Sequence, residues 1–198
     1  MRKKIYIVYT GGTIGMRKSS QGYEPVSGFL AAQMTRIPEL QHPQMPAFMV
    51  HEYDPLIDSS NMSPKLWLHI ARDIAAHYNA FDGFVVLHGT DTMAYTASAL
   101  PFMLQGLGKP VIVTGAQIPL SEMRNDAREN LITALMIAGS YDIPEVCLFF
   151  GNRLLRGNRS VKIDAEGFNA FDSPNFPHLG TIGIDIDIRW DLVLDRPD

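Results

Sequence analysis

The sequence predicts a doubly wound α/β fold: a mostly parallel sheet with helices on both faces. Two observations carry this. Five short runs rich in β-branched and aromatic residues recur without polar alternation, as strands buried on both faces do. Helical apolar patterns lie between them, giving the β-α alternation of a parallel sheet. Ligands of such sheets bind outside the carboxyl ends of the strands, and here those ends carry Gly, Thr, Asp and Ser.

The runs span residues 5–10, 48–53, 84–88, 111–114 and 146–151. After the first, residues 16–24 have no apolar period and are rich in Ser, Gln, Gly, Lys and Arg, which predicts a mobile loop. Ser63-Pro64 is a cap followed by Pro at the first helical position. Leu66, Trp67, Ile70, Ala71, Ile74, Ala75 and Tyr78 then share one helix face, with Lys65, His69, Arg72, Asp73 and His77 mostly on the solvent side. Residues 93–104 predict a second helix and 122–138 a third, burying Leu131, Ile132, Leu135 and Ala138. Residues 168–177, with three aromatics among Pro, Asn and Asp, read as an irregular covering segment. Ile182, Ile184, Ile186 and Ile188 alternate as an edge strand would.

The chain has 198 residues, of which 46% are hydrophobic and 19% charged, which excludes a disordered chain. A net charge of −4 with no basic run argues against nucleic acid or an anionic membrane as partner. One Cys cannot form an internal disulfide, and Cys147, inside an apolar run, reads as an inert core thiol. Basic residues precede the first apolar run, but that run is too short for a signal peptide, so a cytoplasmic protein is expected.

The strand ends hold the chemistry. Thr10-Gly11-Gly12-Thr13-Ile14-Gly15 lacks the Lys-Ser/Thr of a P-loop and the glycine spacing of a dinucleotide fingerprint. Its glycines permit close backbone approach to a ligand, with Thr10 and Thr13 presenting hydroxyls. Asp58-Ser59-Ser60-Asn61 follows the second run, and His88-Gly89-Thr90-Asp91-Thr92 the third. One capping residue suffices for the next helix, and Thr90, Asp91 and Thr92 offer three. Thr114-Gly115-Ala116-Gln117 ends the fourth. Six His residues lack metal-ligand spacing, so no metal and no cofactor is expected. A hydroxyl-based site without metal or His needs another activator; a nearby Lys or Tyr could serve, and Lys162 is a candidate.

Thr10-Gly11-Gly12-Thr13-Ile14 and His88-Gly89-Thr90-Asp91-Thr92-Met93, in that order, resemble the two signatures of the bacterial L-asparaginases. The likeness continues through 94–100, 110–117 and Arg156-Gly157-Asn158-Arg159, covering about residues 4–176. With Asp58-Ser59-Ser60 and no export signal, the sequence most resembles the cytoplasmic type I enzymes. The resemblance implies hydrolysis of L-asparagine to L-aspartate and ammonia through an acyl-threonine. It implies Thr13 as nucleophile, Tyr23 as the hydroxyl that orients it, and Thr90, Asp91 and Lys162 as a second catalytic set. Asp58, Ser59 and Ser60 would hold the substrate α-carboxylate and Asp91 its α-ammonium, with backbone near Thr90 and Ala116 facing the scissile amide. Asn61 departs from the acidic residue that relatives often carry.

The family also implies a second, smaller domain and homo-oligomers. Residues 1–178 are therefore expected to form the N-terminal catalytic domain, and 179–198 the start of the connection to a C-terminal domain absent from this sequence. Two alternatives follow: a catalytically weak asparagine-binding fragment, or an asparaginase-like subunit of a tRNA-dependent amidotransferase. The latter is disfavoured because that subunit carries an extra N-terminal domain.

Overall fold

A computed structural model describes residues 2–197. Strands β1 (Lys4–Tyr9), β4 (Ala47–Glu52), β5 (Gly83–Leu87), β6 (Val111–Thr114) and β7 (Val146–Phe150) are parallel neighbours, and β8 (Arg153–Arg156) returns antiparallel to β7. The hairpin of β11 (Gly180–Ile182) and β12 (Ile186–Ile188) completes an eight-stranded sheet, in the order β12-β11-β8-β7-β6-β5-β1-β4. From β1 the chain first winds outward to β4 and then returns to β5 on the other side. The reversal opens a crevice at the carboxyl ends of β1 and β5.

Alternation along β1 feeds two cores. Ile5, Ile7 and Tyr9 face α1 (Phe29–Met34) and α4 (Ala127–Ser140), packing with Leu30, Leu131 and Leu135. Tyr6 and Val8 face α2 (Pro64–His77) and α3 (Met93–Met103), packing with Ile70, Ile74 and Leu100. Each fully buried Leu or Ile contributes roughly 1.5–3 kcal/mol over its exposed state, so both faces hold the sheet. None of the helices among the described residues is long and apolar enough to cross a membrane.

Three expectations need correction. Residues 16–24 are an antiparallel hairpin, β2 (Met16–Ser19) with β3 (Gly22–Pro25). Cross-strand pairing substitutes for an apolar period: Arg17 meets Glu24 at 3.0 Å, and Gly22 takes the turn at φ +121°. The third helix begins at Ala127, because the Asn125 side chain accepts the Arg128 amide and the Asp126 carboxylate is committed to loop amides. Asp73 is buried rather than solvated, and His77 is half-buried beside it. The Asp73 carboxylate is buried between Tyr6, Tyr53 and His51, at 3.0, 3.2 and 2.9 Å, and His77 stacks on Tyr6.

The segment expected to be irregular contributes a short strand, β10 (Phe171–Asp172), paired with β9 (Val161–Lys162). Phe171 is buried against Phe150, and this anchors the two-stranded ladder to the main sheet.

Candidate active site

Parallel register brings the mouths of the strands level. Tyr9, the last residue of β1, lies beside Glu52 of β4 and Leu87 of β5, and Leu87 lies beside Thr114. The Thr10 amide and hydroxyl both donate to the Leu87 carbonyl, at 3.0 and 2.9 Å, so the first turn leaves the sheet tied to the third strand end.

Glycine decides how closely those turns approach. A Cβ on Gly12 would lie 2.5 Å from the Gly89 nitrogen and 2.6 Å from its Cα, and Gly12 has φ +96°. A Cβ on Gly89 would lie 2.7 Å from that of Ser59. The turns bearing Thr13 and Thr90 therefore touch through bare backbone, and the Ser59 side chain packs on Gly89. Thr92 adds a tether from the start of α3, its hydroxyl donating to the Ser59 carbonyl at 2.6 Å. At the Asp58–Ser60 turn, the Asp58 carboxylate accepts the Ser60 amide at 2.9 Å, an Asx-type cap.

Lys162 reaches the crevice because its strand is pinned to α3. Gly157 packs so closely that a Cβ there would lie 2.5 Å from the Ala97 carbonyl, and Ser98 and Ser160 both donate to the Gly157 carbonyl. The ladder with Phe171 then directs Lys162 inward. Its ammonium donates to the Thr90 hydroxyl at 3.2 Å and to Asp91 at 3.1 Å. Asp91 and Lys162 line an open cleft of about 490 Å³, together with Tyr95, Ser98 and Arg159.

Thr90, Asp91 and Lys162 thus form one bonded group, and Ser59 and Thr13 sit on the two turns that touch theirs. Tyr23 is apart: it lies on β3, 47% exposed. Among the described residues, neither its hydroxyl nor that of Thr13 takes part in a hydrogen bond. Ala116 is buried at the fourth mouth, and its role would be played by its backbone.

Sequence reasoning passed over the residues that hold the fourth mouth. Gln117 accepts the Thr90 hydroxyl proton at 3.2 Å and donates through its side-chain amide to the Ala165 and Gly167 carbonyls. The buried Asp126 carboxylate accepts the Gln117 and Ile118 amides, each at 2.9 Å. Asn130 donates to the Gly115 carbonyl at 2.9 Å. One signal was available: Asn130 interrupts the buried face of an otherwise apolar helix, and buried amides need partners.

The chemical character of the crevice is hydroxyls, carboxylates and one ammonium around closely packed glycine backbone. Among the described residues, no group of three or more His, Cys, Asp or Glu side chains is placed to hold a metal ion. Cys147 lies in β7, fully buried, and burial pushes its thiol pKa well above the ordinary value.

Comparison with known proteins places this architecture. The family model described as "Asparaginase, N-terminal" matches residues 4–194. L-asparaginase 1 of Escherichia coli (strain K12) is 63% identical over 185 residues, covering 93% of this chain and 55% of the relative. A 60 kDa lysophospholipase of Mus musculus is 47% identical over 96% of this chain and 37% of its own length. The crystal structure of L-asparaginase I from Vibrio cholerae O1 biovar eltor superposes with a TM-score of 0.93 at 58% identity, covering 100% of this chain and 60% of that one. The chain spans about half the length of the L-asparaginase relatives it matches. Family model, identity and backbone agree from the first strand to the edge hairpin: this chain belongs to the asparaginase family and corresponds to its N-terminal part.

Proposed function

We propose that the chain carries the machinery that hydrolyses L-asparagine to L-aspartate and ammonia. The observation that carries this reading is the contact of the two Thr-bearing turns at Gly12 and Gly89, with Lys162 bonded to Thr90 and Asp91 at the same crevice. The relatives named L-asparaginase point to L-asparagine as the substrate.

Thr13 Oγ attacks the side-chain carboxamide carbon, its proton passes to the site, and the amide nitrogen leaves as ammonia after taking a proton. Water then attacks the acyl-threonine, releases aspartate and restores the Thr13 hydroxyl. The Lys162–Thr90–Asp91 group moves the proton at one of these two steps. The first step is held in geometry by the turn contacts, which fix the distance between the two hydroxyls in advance of binding. Tyr23 orients Thr13 when the β2–β3 hairpin brings it inward from the exposed position it occupies here. Asp58, Ser59 and Ser60 hold the α-carboxylate through hydroxyls and amides, and Asp91 pairs with the α-ammonium. The Ala116 backbone faces the leaving amide.

The same reading makes the protein a cytoplasmic homo-oligomer of the type I class. It takes residues 1–178 as the catalytic unit and 179–198, whose hairpin extends the sheet edge, as the segment leading onward. Exposed Tyr95 beside the cleft suits a surface that a second copy covers. Ammonia release with excess asparagine, measured for the wild type and Thr13→Ala, tests the activity. Loss of release in the variant is expected, and undiminished release in Thr13→Ala overturns the assignment. A second reading, binding without turnover, is favoured by the outward Tyr23. It is told apart by calorimetric asparagine binding in the absence of any ammonia release.

A further inference from the structure

His88 is fully buried between the end of β5 and the Gly89–Thr90 turn, and the chemistry proposed above makes no use of it. Its Nδ1 lies 2.7 Å from the Gly89 carbonyl and its Nε2 lies 2.8 Å from the Thr96 hydroxyl. The Trp67 indole N–H, on α2, donates to that same Thr96 hydroxyl at 2.9 Å. These contacts fix every proton. A carbonyl only accepts, so Nδ1 carries the hydrogen. Trp67 only donates, so Thr96 accepts from it and turns its own hydrogen toward Nε2. The relay thus runs Trp67, Thr96, His88, Gly89, and it leaves a neutral ring in one tautomer with both nitrogens satisfied.

The receiving end of the relay gives it a purpose beyond filling space. Gly89 is the residue wedged between Gly12 and Ser59, and its carbonyl belongs to the peptide whose nitrogen is that of Thr90. Rotation of that peptide plane would turn the Thr90 amide, while the atoms against which Gly12 rests belong to the preceding His88–Gly89 peptide. We infer that His88 is a positioning residue: its neutral ring, protonated at Nδ1 and aligned by Thr96 and Trp67, fixes the Gly89–Thr90 peptide and so the direction in which the Thr90 amide faces the crevice. The environment agrees, since burial pushes the His88 pKa down to about 4, with the Gly89 bond opposing that effect. The ring therefore stays uncharged across neutral pH. A carbon skeleton of similar volume would fill the hole. It would leave the Gly89 carbonyl without this donor and the Thr96 proton without its acceptor.

Variants separate the two ends of the ring. In His88→Asn the side-chain amide nitrogen can stand where Nδ1 stood, whereas His88→Gln reaches toward Thr96 and gives up the Gly89 end. Thr96→Val removes the hydroxyl that holds the ring at Nε2. The activity arm rests on the asparaginase reading, and ammonia release by the wild type tests that reading separately. Expected are a fall in kcat of at least about tenfold in His88→Gln and Thr96→Val, with KM changed by less than about twofold, and substantial recovery in His88→Asn. Independently of turnover, ¹⁵N spectra of the wild type should show the Nδ1–H tautomer. The Thr90 amide resonance should move in His88→Gln and Thr96→Val and return toward the wild-type position in His88→Asn. An Nε2–H ring in the wild type, an unmoved Thr90 amide, or a His88→Asn variant no better than His88→Gln overturns the inference. Should His88 variants fail to fold, the wild-type tautomer and Thr96→Val decide it.

Discussion

The Lys162 ammonium donates to the Thr90 hydroxyl across 3.2 Å, while Thr90 directs its own proton to Gln117. Thr90 is therefore held from both sides before any substrate arrives. Lys162→Met should remove the ammonium proposed to move the proton while keeping the aliphatic stem. We expect a loss of roughly 10²- to 10⁴-fold in kcat for ammonia release. Because the Asp91 partner is largely exposed, the urea midpoint should hardly change.

Gly12 and Gly106 both have positive φ, but only one has neighbours in the way. Gly106→Ala meets open space and should lose only the backbone term, about 1–2 kcal/mol. Gly12→Ala adds a Cβ against the Gly89 backbone, which cannot swing aside as a side chain would. It should lose roughly 3 kcal/mol or more and abolish turnover. Chemical denaturation of the two variants checks the contrast.

Burial of His88 has a stability consequence with a definite sign. The unfolded chain takes up a proton at this position below about pH 6.5, whereas the folded chain resists until about pH 4. Between those values the unfolded state binds more protons, so stability falls as pH falls. The loss from this group is roughly 3 kcal/mol by pH 4. His88→Asn should lack that part of the pH dependence, which urea titrations at pH 7 and pH 4 would reveal.

Glu145 and Arg156 form a buried pair, with Arg156 Nε at 2.7 Å from the Glu145 carboxylate. Both also hold the tail: Glu145 accepts the Leu194 amide and Arg156 donates to the Leu192 carbonyl. Glu145→Ala leaves a buried guanidinium uncompensated and should lose about 3–5 kcal/mol. The double variant Glu145→Leu/Arg156→Met should lose clearly less than the single one. Amide exchange in 190–194 should rise in both.

Much of this was legible in the sequence. The apolar runs placed five strands, and Gly-Gly-Thr and Gly-Thr-Asp placed two turns at one crevice. What the sequence hid is long-range and polar. Asp73 reads as a solvated helix residue by its spacing, and only the fold reveals Tyr6 and Tyr53 beneath it. Residues 16–19 and 22–25 lack an apolar period because their hairpin buries little, so pairing there depends on Arg17, Glu24 and a glycine turn. Asp126 and Gln117 acquire their partners only once α4 packs under β6. Tyr23 is the reverse case: the family resemblance assigns it a role at Thr13, and the hairpin here carries it facing solvent.

The contact of Gly12 with Gly89 separates two design variables. Spacing within the crevice is written in main-chain atoms, which every amino acid shares. Reactivity and recognition are written in the side chains that project from the same turns. A library that randomises positions 60 and 95, whose side chains hold none of these turns, while leaving 11, 12, 89 and 115 untouched should therefore explore new amide and ester substrates on an undisturbed frame. Inverting that choice should yield chains that keep every reactive group and can no longer bring them together.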